Sequence, residues 1–279
     1  MVELTEAEVR LEEYLKQTHP CESWPRRTIC CDSSRSFYCS ECCKICIPEE
    51  SLPRPIFEGQ LRFPFDIDIV LDVKERKTSA TGIQLFALAR ALESRREKLH
   101  LPKAEKSVVL HDLGKTDVPD YSSEENVYVL FPSKNSVPIS SVVPDKLVVL
   151  DIKWSSLGVN AHGNIACLPK VHLDSPPPQS YFWRWHNAGD GMLSTIEAIY
   201  CAALEVTRDS WPPNERDDLI HMLWLFALQR SVIHVRSEME KRLLPFTEEG
   251  KESRRILRVR QKGKPGKKPV ETDSLSSTS

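Results

Sequence analysis

Val148-Val149-Leu150-Asp151-Ile152-Lys153-Trp154 stands near the middle of a chain of 279 residues. With Leu147 it reads as a short apolar strand that ends in a carboxylate. Comparable apolar runs, each bounded by polar turns, occur at Val108 to Leu110 and Val127 to Phe131, and Ile165 to Leu173 is a further strand candidate. Phe65 to Leu71 alternates apolar residues with Asp66 and Asp68, the pattern of a half-buried strand. After the polar turn Lys77 to Gly82, Ile83 to Leu99 carries Leu85, Leu88, Ala89 and Leu92 at helical spacing. Short apolar strands separated by helices and loops predict a parallel α/β sheet. Such sheets place their ligands at the carboxyl ends of the strands, which makes Asp151 the first candidate functional residue.

Outward from that centre, Ser194-Thr195-Ile196-Glu197 has capping-box spacing and opens a helix reaching roughly to Arg208. Trp211-Pro212-Pro213 breaks the chain, and Asn214 is placed to cap a last long helix with Leu219, Leu223, Phe226 and Ile233 on its apolar side. Residues 5–17 read as a short helix, with Thr5 and Glu8 at capping-box spacing and Val9, Leu11, Tyr14 and Leu15 on one side. Pro48, Pro53 and Pro55 mark an extended linker. The expected organisation is an N-terminal helix (1–20), a cysteine-rich element (21–50), one large domain (60–244) and a disordered basic tail (245–279).

Composition excludes several classes. Hydrophobic residues make up 40% and charged residues 28%, ordinary for a globular protein. No apolar run approaches a membrane span, and the acidic, amphipathic start lacks a signal-peptide pattern. No membrane association and a nuclear or cytoplasmic address are therefore expected. The formal net charge of −2 conceals an asymmetry, because the stretch from Lys251 to Lys268 is densely basic with Glu252 its one acidic residue. A basic tail of this kind suits a nucleic-acid backbone.

Seven of the nine cysteines fall between Cys21 and Cys46. A reducing compartment disfavours disulfides, and the odd total and close spacing favour metal ligation. Cys39-Ser40-Glu41-Cys42 and Cys43-Lys44-Ile45-Cys46 each have Cys-x-x-Cys spacing, which lets one turn offer two thiolates to a tetrahedral ion. Cys30, Cys31, Cys39 and Cys42 are the expected zinc ligands, with Cys21 or Cys46 as replacements for Cys30. Four thiolates leave no open coordination position, so the role is structural.

The central strand, Tyr181-Phe182-Trp183-Arg184, Leu193-Ser194-Thr195-Ile196-Glu197-Ala198-Ile199-Tyr200 and the intervening Ser175-Pro176-Pro177-Pro178 together resemble the DTW-domain family. Arg35 to Cys42, with its Phe-Tyr-Cys-x-x-Cys wording, also looks like that family's cysteine-rich element. Members are tRNA-uridine aminocarboxypropyltransferases, which move the 3-amino-3-carboxypropyl group of S-adenosylmethionine to N3 of a uridine and release methylthioadenosine. The resemblance implies a SPOUT-like α/β fold with a knotted parallel sheet, S-adenosylmethionine and structural zinc as bound groups, and tRNA, modified at a D-loop uridine, as partner. It implies Asp151 and Trp154 as catalytic residues. It implies Phe131, Pro132, Asp151, Arg184, Leu193, Ser194, Thr195 and Glu197 as cofactor-binding residues. Lys77, Thr78 and Gly82 also resemble the family pattern. Lys153 departs from it, since the family's Asp-x-Thr-Trp motif has threonine there, and Phe131-Pro132-Ser133 stands where the family has Phe-Pro-Gly. Two other readings compete: a SPOUT-like RNA methyltransferase, or a non-catalytic RNA-binding adaptor.

Overall fold

The computed structural model describes residues 6–25, 27–152, 163–178, 180–183 and 192–239, with side chains described as far as 234. Its elements run α1 (Glu6–Gln17), β1 (Thr28–Cys30), β2 (Ser33–Arg35), α2 (Arg54–Phe57), β3 (Asp66–Leu71), α3 (Gly82–Lys98), β4 (Val108–Asp112), β5 (Val127–Leu130), β6 (Val137–Pro138), β7 (Lys146–Asp151), α4 (Gly163–Ala166), β8 (Lys170–His172), α5 (Thr195–Val206), α6 (Pro213–Asp218) and α7 (Trp224–Met239). Six strands form one sheet in the order β4-β3-β7-β5-β8-β6, and every neighbouring pair is parallel.

The register explains why the central strands are apolar throughout. Ile69 pairs with Leu110 on one side and Val149 on the other, and Leu71 pairs with Asp151. Ile67, Ile69, Leu71, Leu147 and Val149 enter the larger core with Leu85 and Leu88 of α3 and Ile196 and Ile199 of α5. Val70 and Val148, on the opposite face, pack with Tyr121, Val127, Val129 and Ile165 in a second core. A parallel sheet buried on both faces has little use for alternation. The larger core also takes in Leu11 and Leu15 of α1 and Cys43, Ile47 and Leu52. The N-terminal segments thus share the core of the sheet.

Several expectations are corrected. The alternation in Phe65 to Leu71 does not mark a solvent face, because Asp68 is buried. Its carboxylate accepts a hydrogen bond from the Tyr121 hydroxyl at 2.9 Å and lies 3.1 Å from His111 Nε2. Burial and the Asp68 charge raise the Tyr121 hydroxyl well above its ordinary value. That cluster holds the segment after β4 against the sheet. Val9 is half exposed, and the buried side of α1 is Glu8, Leu11 and Leu15. Ile165 to Leu173 is not one strand but the short helix α4 followed by β8. The last helix does not start at Asn214. Pro212 precedes α6, a 3-10 turn over Leu219–Leu223 follows, and α7 begins at Trp224. Pro213 suits the first turn of α6, where its missing amide is not needed.

The two-residue β6 at one edge ends in Pro138, which has no amide to offer a further strand. Thr5 and the expected tail lie outside the described residues. Among the described residues no helix is long and apolar enough to cross a membrane.

Candidate active site and thiolate centre

The chain leaves β3 through α3 toward β4 on one side of the sheet, and leaves β7 toward β8 on the other. The carboxyl ends of β3 and β7 therefore flank a switch point, the place where an open α/β sheet forms its crevice. Asp151 is the last residue of β7 and is almost fully buried there. The Gly82 amide, the first of α3, donates to Asp151 Oδ2 at 2.7 Å. At a helix N-terminus such an amide has no partner within the helix and carries partial positive charge, so a carboxylate is a favourable acceptor. The Thr195 hydroxyl, in the first turn of α5, is a second partner. The N-termini of α3 and α5 are also joined directly, since the Ile196 amide donates to the Thr81 hydroxyl at 3.2 Å.

The glycine at 82 is dictated by this convergence. A Cβ there would meet Ile69 Cγ2 at 2.6 Å and Asp151 Oδ2 at 2.8 Å. Burial drives the Asp151 carboxyl up to about 7. The hydrogen bonds from Gly82 and Thr195 oppose that rise and the Glu75 charge adds to it. The group is thereby poised to exchange a proton near neutrality, where general acid–base chemistry is most effective.

Leu193, Ser194 and Thr195 stand at the same end of the sheet, at the start of α5. Phe131 and Pro132 follow the carboxyl end of β5, the strand beside β7; Phe131 is half-buried against the second core and Pro132 is exposed. Glu197 is different in kind. Its buried carboxylate accepts from the Ser194 amide at 2.9 Å, the Tyr181 amide at 2.7 Å, and the hydroxyls of Ser180 and Ser194. With four protein donors it acts as a clamp, completing the capping box and fixing the segment at 180–183 to α5. Trp183 packs between Phe182 and Phe226, at centroid distances of 4.6 and 5.5 Å. Trp154 and Arg184, with Lys153, lie outside the described residues.

The thiolate centre is built from two small turns. β1 and β2 form a hairpin in which Cys30 pairs with Ser33, and the linking residues Cys31 and Asp32 have φ of 48° and 57°. Two successive left-handed residues make the type I′ turn that suits a two-residue hairpin, and aspartate tolerates that conformation well. The second turn spans Cys39 to Cys42 and is closed by the Cys43 amide donating to Cys39 O and the Cys39 amide to Lys44 O, both at 2.8 Å. Cys43, with φ of 55°, reverses the chain. The sulfurs of Cys30, Cys31, Cys39 and Cys42 all lie within 4.8 Å of one another. A tetrahedral zinc with bonds of about 2.3 Å needs sulfurs roughly 3.8 Å apart, so the four fit a metal ion. The hairpin turn brings the adjacent Cys30 and Cys31 to the same centre as Cys39 and Cys42.

The thiols compete for charge. Burial disfavours the Cys39 thiolate, but the amides of Cys42 and Glu41 outweigh it and bring that thiol down to about 6. Cys42 and then Cys39 push Cys30 up to about 11 and Cys31 up to about 12. A cation among them would relieve that competition. Cys21 and Cys46, the alternative ligands, are not among the four.

Lys77 and Gly82 stand out in the sequence only through the family resemblance, and three of the contacts made here have little or no local signal. The roles of the Gly82 amide and the Thr81 hydroxyl depend on two helix starts meeting in space, for which a Thr-Gly pair opening a helical pattern was the only local sign. Asp112, at the end of β4, forms a 2.7 Å ion pair with Lys77. No spacing or composition around either residue indicates that they pair.

A scan against models of protein families and searches of curated proteins and solved structures give no match.

Proposed function

We propose that this chain is a tRNA-uridine aminocarboxypropyltransferase with a SPOUT-like, knotted sheet and a structural zinc. The observation that carries the reading is the buried Asp151 carboxylate at the switch point, held by the first amide of α3 and the Thr195 hydroxyl of α5. S-adenosylmethionine, when bound, supplies an alkyl carbon already activated by its sulfonium. The protein's task is then to position the partners and to take one proton.

The convergent N-termini of α3 and α5 suit the carboxylate of the amino-acid moiety, because both present partial positive charge. Asp151, with its carboxyl near 7, accepts the N3 proton of the uridine or orients the ammonium group of the same moiety. Phe131, Pro132 and Leu193 offer apolar surface along the same edge. Holding the reactants in line contributes about 7–11 kcal/mol of the barrier reduction, and general-base help about 10²–10⁴-fold in rate. Zinc at Cys30, Cys31, Cys39 and Cys42 stabilises the fold without entering the chemistry, since four thiolates fill its coordination sphere. The basic stretch from Lys251 to Lys268 supplies phosphate contacts whose strength falls with salt.

Lys153 favours a second reading, an RNA-binding adaptor, because a long cation replaces the small hydroxyl of the family motif. One experiment separates the readings. Purified protein is incubated with unmodified tRNA and labelled S-adenosylmethionine, and the products are followed by mass spectrometry. The expected result is an aminocarboxypropyl mass gain on a uridine together with methylthioadenosine. S-adenosylhomocysteine in its place would identify a methyltransferase, and tRNA binding without either product would identify the adaptor.

A further inference from the structure

Glu41 lies between Cys39 and Cys42, and its carboxylate faces Lys77 Nζ at 3.7 Å. The same ammonium sits 2.7 Å from Asp112 Oδ2 at the carboxyl end of β4, where the Gly114 amide also donates to Asp112 at 3.2 Å. Lys77 belongs to the loop at residues 72–81 that joins β3 to α3, and the next residue, Gly82, donates to Asp151. The side chains of Lys77 and Asp112 are 24% and 17% exposed, so solvent screens their pairing only in part. Asp112 raises the Lys77 ammonium above its ordinary value. Two more ties run from the thiolate turn to α3. Arg90 Nη1 donates to Cys42 O at 2.5 Å, and Gln84 Nε2 lies 3.3 Å from the hydroxyl of Tyr38, the residue before Cys39.

We propose that Lys77 is a positioning residue that couples the thiolate centre to the Asp151 site. With metal bound, the Cys39–Cys42 turn is fixed, Glu41 stays opposite Lys77, and the loop at 72–81 is held against the carboxyl ends of β3 and β4. Without metal the turn relaxes, Lys77 keeps only Asp112, and the loop opens more often. Partly exposed pairs contribute little individually, so the effect is a several-fold change in the opening of one loop rather than unfolding.

The test uses the full chain and follows amide hydrogen exchange in peptides covering residues 72–82. Wild type, Lys77→Met and Lys77→Arg are compared with metal bound and after chelation. Metal removal should speed exchange of this loop about threefold or more in wild type and in Lys77→Arg. Lys77→Met should already exchange fast and gain little from chelation. Unchanged exchange in wild type, or the same acceleration in Lys77→Met, overturns the coupling. Should chelation unfold the chain, Glu41→Gln takes its place, since it leaves all four thiols present. It should speed loop exchange in wild type and add nothing in Lys77→Met, and no effect on the loop overturns the proposal.

The activity measurement rests on the transferase reading. Lys77→Met should raise KM for S-adenosylmethionine several-fold with kcat little changed, and Lys77→Arg should restore it; an unaltered KM overturns the positioning role. Absence of transfer by wild type would defeat the transferase reading and leave the exchange measurements to decide the coupling.

Discussion

The thiolate centre and the Asp151 site are built by opposite strategies. The four thiols come from thirteen consecutive residues, Cys30 to Cys42, and two tight turns bring them together. The groups around Asp151 come from Gly82 and Thr195, each far from it in sequence, and meet only when the sheet and both helices are in place. A local site can be read from spacing and completed by an ion. A dispersed site inherits its precision from the core, so damage to packing reaches it and damage to one ligand does not dismantle the fold.

That contrast is sharpest under substitution. Replacing both Cys39 and Cys42 by serine should abolish metal binding, taking metal content from about one ion per chain to near zero. Structural zinc contributes on the order of 10 kcal/mol in small zinc peptides, so a large fall in melting temperature is expected too. Metal analysis and thermal denaturation check this, and a metal-free chain of undiminished stability would break the comparison at its first term.

Asp151→Asn should leave the fold intact and lower transfer by about 10²-fold or more. The same variant has a signature in pH. The folded-state carboxyl titrates near 7, above the ordinary 3.8, so the folded protein binds the proton more tightly than the unfolded chain. The burial cost of the charge is fully present above pH 7 and is relieved as pH falls toward 4. Across that window wild type should gain about 4 kcal/mol relative to the asparagine variant, which cannot titrate there. Denaturant unfolding at pH 5 and pH 8 captures about 3 kcal/mol of that gain, since the remainder falls below pH 5, and parallel stability curves would show that Asp151 is not buried as a charge.

Gly82→Ala is the smaller disturbance. The added methyl meets Ile69 and Asp151 below contact distance, and overpacking of this kind costs about 1–3 kcal/mol. The loss should appear in chemical denaturation alongside reduced turnover, while metal content stays at the wild-type value. Loss of metal in this variant would mean that the two regions are less separate than their construction implies.

The same division governs what the sequence discloses. Leu147 to Leu150, read as a strand ending at Asp151, is β7 (Lys146–Asp151), and Ser194 does cap α5. Both signals are local: an apolar run and a capping box. The cysteine quartet was legible for the same reason. Asp68 was misread because alternation alone does not tell a solvent face from a buried polar cluster, and the partners that decide the matter, His111 and Tyr121, lie 43 and 53 residues away. Asn214 misled because a good capping residue stands just inside a helix that Pro212 and Pro213 already start. Strand order is beyond any local signal: β7 inserts between β3 and β5, and that insertion makes the switch point.

The Glu197 clamp carries a consequence for how this protein can change. One carboxylate binds Ser180 and Tyr181 on the near side and Ser194 on the far side, so it buckles together the two ends of the stretch that contains Arg184. Once a chain segment is closed at its base, doubling its length costs only about 0.6 kcal/mol in chain entropy. The buckle therefore separates foldability from chain length: insertions between 183 and 192 leave the helix start that carries Thr195 anchored to the segment at 180–183.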